Sequence, residues 1–245
     1  MNGKRTSEPT VAHEIAHQWF GDMATEVDFS HLWLSEGFAT FMTMFYMESK
    51  YGKDTADKLL AVNRQQVIDF ASKNPKPVVD SSVKSYMELL NANSYQKGGW
   101  VLHMLRQKIG DSLFQQTLRA YYQQYKGKNA VTEDFQKVAE TISKQDLKQF
   151  FQQWLYTGGI PQLNVKWSLV DAGKKLKIQI RQVQSAAPYQ FALTSFIKGE
   201  GDEMQVAVFD ITEADQEFLV PLKMRSKPVS FELDPLTTLL FEEKK

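Results

Sequence analysis

Apolar residues in this chain recur every three or four positions up to Gly158 and every second position after Pro161, with Gly158-Gly159-Ile160-Pro161 between the two regimes. A helix repeats every 3.6 residues and a strand every two, so the change of period predicts two bodies of different architecture. The first reads as helices near residues 10–21, 35–51, 54–72, 94–109, 111–125 and 132–156, the last broken near Ser143, with a loop at Lys73-Asn-Pro-Lys-Pro77. Asp111 and Thr132 stand where N-caps belong, and Glu133 and Asp134 suit the positive end of the helix after Thr132. The second body reads as strands at Leu163–Val170, Lys175–Arg181, Gln190–Ile197, Met204–Phe209, Phe218–Leu222 and Val229–Leu233. Turn signals at Asp171-Ala-Gly173 and Gly199-Glu-Gly-Asp202 separate them at the spacing of an antiparallel β-sandwich. Trp167, Phe191, Phe196, Phe209, Phe218 and Phe231 read as its core on alternating faces. The expected fold class is α+β, with a helical domain at 1–158 and a β-sandwich domain at 159–245.

Composition narrows the function classes. With 245 residues, 42% of them apolar and 24% charged, the chain can bury a core and is unlike disordered or collagen-like sequences. Basic and acidic residues number 29 each; split at Gly158 they stand 18 against 17 and 11 against 12, so neither part offers a nucleic-acid-binding face. Met1–Thr10 is polar and lacks the apolar stretch of a secretory leader. The most apolar window, Phe38–Met47, is about half the ~20 residues of a membrane span, so no spanning segment is expected. Cys is absent, and any metal would have to be held by His, Asp or Glu.

Two of the four histidines fall in Val11-Ala-His13-Glu14-Ile-Ala-His17-Gln-Trp-Phe-Gly21-Asp22, which is followed by Leu32-Trp-Leu-Ser-Glu36-Gly37-Phe-Ala39. Residues four apart on a helix are neighbours, with Cβ atoms about 5–6 Å apart, so His13 and His17 can address one metal ion. Glu14 lies one position round and reaches the edge of the same site, where it can act on a water without ligating the metal. Glu36, separated from His17 by eighteen residues, is the natural third ligand from the next helix. Two His and one Glu make the open kind of zinc site. The competing readings are a surface helix for the histidine pair and, for Glu36, a solvated acid favoured by the helix dipole. His31 and His103 have no ligand partner at helical spacing and read as structural. Met42, Met44 and Met47 read as flexible core filling rather than a copper site.

The segments His13–Asp22 and Leu32–Ala39 resemble the zinc signature of the aminopeptidase N family of gluzincin metallopeptidases. Ser94-Tyr95-Gln-Lys97-Gly98 resembles that family's Tyr-x-Lys-Gly segment, and Trp154–Val165 resembles the junction into its β-sandwich, so the similarity covers almost the whole chain. The resemblance implies a thermolysin-like (zincin) helical catalytic domain with one Zn2+ per chain held by His13, His17 and Glu36. It also implies Glu14 as general base and Tyr95 as the phenol that stabilises an oxyanion. Spacing alone does not single out Tyr95 among nine tyrosines. A phenol is a neutral donor at pH 7 and is chemically suited to that task. The implied activity is peptide hydrolysis, as an aminopeptidase acting on peptides with a free N-terminus.

Three departures from the family pattern accompany these expectations. The Gly-x-Met-Glu-Asn segment that binds the substrate's α-amine in the family has no counterpart in the twelve residues before His13, so this chain alone is expected to be weakly active or inactive. The family's Asn-Glu-Gly-Phe-Ala reads Ser35-Glu36-Gly-Phe-Ala39, and the acid often found seven residues after the ligand Glu is Thr43. That leaves Asp22, Asp28 and Glu48 as candidates for supporting the ligands. The long C-terminal helical domain of many relatives has no counterpart after Leu239–Glu243. Two other functions compete: a non-catalytic module whose zinc only staples helices while the sandwich mediates assembly, and the epoxide hydrolysis of one family branch, for which no residue here speaks.

Overall fold

The structure is a computed structural model that describes residues 7–83 and 85–244; the first six residues of the polar start lie outside the described residues. The chain divides into two compact units, Met1–Gly159 and Ile160–Lys245.

The first unit opens with α1 (Glu8–Ala16), whose Pro9 sits in the first turn, where a missing N–H costs nothing. The helix is shorter than the predicted 10–21. Gly21 takes φ +123°, and the turn closes through Gly21 N to Ala24 O (2.9 Å), Asp22 N to His17 O (2.9 Å) and Ala24 N to Trp19 O (3.1 Å). It feeds β1 (Ala24–Glu26), which pairs in parallel with β2 (Lys128–Ala130). A parallel pair needs a crossover connection, and here it is most of the unit: α2 (Trp33–Tyr51), α3 (Lys53–Ala71), α4 (Tyr86–Leu89), a π-helical turn (Asn93–Lys97), α5 (Gly98–Ile109) and α6 (Asp111–Tyr125). α7 (Thr132–Ser143) follows; the chain then breaks at Lys144 (φ 60°) and resumes as α8 (Lys148–Phe151) and a second π-helical turn (Gln152–Tyr156).

α2 is the hub, because its residues from Trp33 through Phe41 are all buried, the pattern of a helix surrounded on every side. Phe38 packs against Phe20 and Phe135 at centroid distances of 4.8 and 4.9 Å. Asp111 and Thr132, predicted as N-caps, are instead the first helical residues, with Gly110 and Val131 in the cap positions. Their side chains are engaged elsewhere: Arg106 Nε donates to Asp111 (2.8 Å), and Trp33 Nε1 donates to Thr132 Oγ1 (2.8 Å).

The second unit holds β3 (Gln162–Val170), β4 (Lys175–Gln182), β5 (Phe191–Lys198), β6 (Met204–Ile211), β7 (Asp215–Pro221), β8 (Ser230–Leu233) and β9 (Glu242–Lys244). One sheet runs β7-β4-β3-β9 and the other β6-β5-β8. All pairs are antiparallel except β3 with β9, a strand the sequence reading did not predict, so the larger sheet is mixed. Phe209 and Phe218 meet between the sheets at 5.0 Å. The core is mostly aliphatic, with Leu176, Ile178, Ile180, Leu193 and Ile197 on the inward parity. Trp167, opposite Ile178 in the ladder, shares the inward parity yet is 38% exposed, and of the phenylalanines expected in the core only Phe209 is buried. No helix among the described residues is long and apolar enough to cross a membrane.

Candidate metal centre

α1 and α2 lie antiparallel. Near one end Ser35 and Glu36 stand beside His17. At the other, Glu8 accepts from Tyr46 Oη (2.7 Å), Tyr51 Oη (2.7 Å) and Lys50 Nζ (2.5 Å), which clamps the start of α1 to the end of α2. His13 lies in the last turn of α1, and His17 just past it keeps helical angles (φ −58°, ψ −24°), so the four-residue spacing puts both rings on one side.

His13 Nε2 is 3.1 Å and His17 Nε2 3.3 Å from Glu36 Oε2, and the two nitrogens are 3.2 Å apart. A tetrahedral zinc with bonds of about 2.0–2.1 Å spaces its ligands about 3.3 Å apart, so this triangle fits a zinc ion, and two imidazoles with a carboxylate are a donor set zinc accepts. Among the described residues no other three His, Asp or Glu side chains converge in this way.

The tautomer of His17 follows from its surroundings. Its Nδ1 donates to the Phe20 carbonyl at 3.1 Å, with Ser35 Oγ at 3.3 Å. A carbonyl only accepts, so Nδ1 carries the proton and the Nε2 lone pair faces the centre. Gly21 makes room for this contact: a Cβ there would come 2.9 Å from His17 Nδ1 and 2.5 Å from Ser35 Oγ. Burial pushes the Glu36 carboxyl up, but the hydrogen bonds from His13 and His17 outweigh it and hold the group at about 2. The bond to Glu36 in turn raises His17 above the usual imidazole value.

The triangle opens into a cleft of about 420 Å³ whose walls include Glu14, Tyr95, Thr43 and Asn63. Glu14 is exposed at its rim. Tyr95 stands in the π-helical turn, its ring stacked 5.9 Å from that of His13. Burial and then the negative charge of Glu36 push its phenol above the ordinary value, so it is a neutral donor at every physiological pH. A larger cavity of about 560 Å³, lined by Val11, Ile15, Trp19 and Phe45, lies off the centre and takes in none of the five residues singled out from the sequence.

The candidates for supporting the ligands do not reach them. Asp22 accepts from Gln18 Nε2 (3.1 Å), Asp28 caps a short turn by accepting from Ser30 N (2.8 Å), and Glu48 binds Arg106 (3.2 Å to Nη2). Each is taken by a local partner of opposite polarity. His31 pairs with Thr132 (2.9 Å) and His103 packs against Trp100, both apart from the centre. Two contributors escaped the sequence reading. The Phe20 carbonyl is visible only once the Gly21 turn is folded. Lys97, 1% exposed, donates to Gly159 O at 2.8 Å and ties the chain after α8 to the turn that carries Tyr95. Its place two residues after Tyr95 was the available signal.

The Peptidase family M1 domain matches residues 1–154. Aminopeptidase M1-C of Oryza sativa subsp. japonica is 35% identical over 165 residues, which are 64% of this chain and 18% of the relative. A glutamyl aminopeptidase of Bitis rhinoceros is 32% identical over 168 residues, 67% of this chain and 18% of its own. The chain therefore spans about a fifth of the length of these curated relatives. Among solved structures, Legionella pneumophila aminopeptidase A in complex with aspartic acid matches in fold, with a TM-score of 0.77 at 21% identity over 97% of this chain and 27% of that one. A mutant M1 zinc metallopeptidase from Deinococcus radiodurans bound to a Tyr-Ser-Ala substrate gives a TM-score of 0.56 at 28% identity, covering 64% of this chain and 34% of that one. With the family domain matching well over half of its length, the chain belongs to peptidase family M1.

Proposed function

We propose that this chain carries the metal centre of a zinc-dependent aminopeptidase that removes N-terminal residues from peptides. The observation that carries the reading is the convergence of His13, His17 and Glu36 at a cleft that also exposes Glu14 and Tyr95. His13, His17 and Glu36 would hold one Zn2+, which when bound polarises a carbonyl and makes a water more acidic. The rest falls to the side chains. Glu14, a carboxylate at the rim, takes the proton from the attacking water and hands it to the leaving amine as the C–N bond breaks. Tyr95, still protonated, donates a hydrogen bond from its hydroxyl to the oxyanion that develops on the scissile carbonyl. The Phe20 carbonyl keeps His17 in the tautomer that leaves Nε2 free to ligate. Specificity for a free N-terminus is supported by the relatives' names alone. A purely structural zinc favours four protein ligands, whereas three converge here.

The test pairs metal analysis with hydrolysis. Glu14→Gln should keep about one zinc per chain while turnover falls about 10²–10⁴-fold. A substrate with a free N-terminus should be cleaved and its acetylated form spared. Undiminished turnover in Glu14→Gln would remove Glu14 from the reaction, and equal cleavage of both substrates would remove the aminopeptidase assignment.

A further inference from the structure

The outer ring nitrogens of the two histidines are held differently. His17 Nδ1 has the Phe20 carbonyl and Ser35 Oγ. His13 uses Nε2 toward Glu36 and His17, and its Nδ1 has no protein partner among the described residues. A metal-ligating histidine almost always donates its second N–H to a carboxylate, a carbonyl or a water, because that bond fixes the ring and raises its basicity.

The antiparallel packing says what faces His13. Moving back along α1 from His17 corresponds to moving forward along α2 from Glu36, where Thr40 and Thr43 occupy the same helical stripe. Both line the cleft with His13, as does Asn63 of α3. Thr43 Oγ1 gives its own proton to Ala39 O at 2.9 Å, so toward the cleft it can only accept. Asn63 turns Nδ2 to Met44 Sδ at 3.5 Å, which leaves its amide oxygen as a second acceptor. Neither acceptor bonds the ring directly, and a polar cleft with several acceptors is a place where water bridges.

We propose that Thr43 is a positioning residue of the metal centre: with Asn63 it holds bridging water that accepts the Nδ1–H of His13, so one histidine is oriented by solvent and the other by backbone. The inference rests on the reading of His13, His17 and Glu36 as zinc ligands. It makes His13 the more loosely held ligand and position 43 the setting for metal affinity. Glutamate there extends the side chain far enough to replace the water with a direct, charged acceptor. Valine keeps the shape of threonine and removes the acceptor.

The experiment is a zinc titration against a chromophoric chelator on the full chain, wild type beside Thr43→Glu and Thr43→Val. Losing or gaining such a partner typically changes metal affinity about 10–100-fold. Thr43→Glu should therefore tighten zinc about tenfold or more, and Thr43→Val should weaken it several-fold. A second measurement reads the bridging directly. In the cobalt-loaded wild type, the shifted NMR signal of the His13 N–H should exchange rapidly with water while that of His17 stays slow, and Thr43→Glu should slow the His13 signal. A merely structural role for Thr43 would move stability without moving this exchange. Equal affinities in all three proteins, or two equally slow N–H signals in the wild type, would overturn the proposal and leave the zinc site standing. A wild-type chain that takes up no zinc would overturn the zinc reading and this proposal together.

Discussion

Lys97 is a charge-bearing side chain with no opposite charge bonded to it among the described residues, buried and held by backbone carbonyls at Gly159 (2.8 Å) and Thr157 (3.5 Å). Burial pulls its pKa down to about 7, against an ordinary value of 10.5. Between those two values the unfolded chain holds a proton on this amine that the folded chain lacks, so its contribution to stability rises with pH across the window and is lost as pH falls to about 7. The expected outcome is that wild type gains stability over Lys97→Met on going from pH 7 to pH 9, by at most about 1.4 kcal/mol per pH unit. Urea titrations of both proteins at the two pH values check it, and parallel pH dependence would contradict it. At this scale the sequence was legible where chemistry follows from spacing. His13, His17, Glu14 and Glu36 were readable because one helical turn and one following helix determine their neighbourhood. Tyr95 was not, because a π-helical turn presents it and only the family resemblance singled it out. The acids Asp22, Asp28 and Glu48 were misjudged because proximity in sequence to the motif says nothing about which nearby donor claims a carboxylate.

Between elements, the decisive contact is the crossing of α2 with the start of α5. A Cβ on Gly37 would lie 2.9 Å from the Gly98 Cα and 3.1 Å from the Ser94 carbonyl, so the two backbones touch with nothing between them. That approach sets Glu36, one residue before Gly37, against Tyr95, three residues before Gly98. Gly37→Ala must separate the helices or strain them, and overpacking of this kind costs about 1–3 kcal/mol. A lowered urea midpoint of that size is the expected measurement, and an unchanged midpoint would show that the crossing yields freely. Long helices and strands were legible from their periods, whereas β1 and β2 were not, since three residues are too few to display an alternation. The sandwich aromatics failed for a different reason: Trp167 and Phe218 lie opposite the inward Ile178 and Phe231 opposite the inward Ile197, but alternation gives the face and not the depth, and these rings stay partly exposed.

For the molecule as a whole, all three candidate ligands belong to the first unit, and the change of period at Gly158–Pro161 stands close to the division at Gly159. A ligand that binds only the folded state adds RT ln(1 + [L]/Kd), about 2.7 kcal/mol when zinc is at a hundred times its Kd. Four of the five tryptophans lie before Gly158, so their emission follows the first unit. Its thermal midpoint should rise with zinc and fall again on adding a chelator, and a midpoint indifferent to both would contradict zinc binding to the native centre. The position of those ligands also bears on the order of events in time. His13 and Glu36 are only 23 residues apart, while β1 must wait for a strand at Lys128–Ala130. Loop-closure entropy grows with the logarithm of length, so the shorter closure is easier by about 1 kcal/mol. On the proposed reading, a chain that has made only its first two helices already holds all three candidate ligands, and a bound metal ion would then serve as an early cross-link while the parallel strands are still searching for each other.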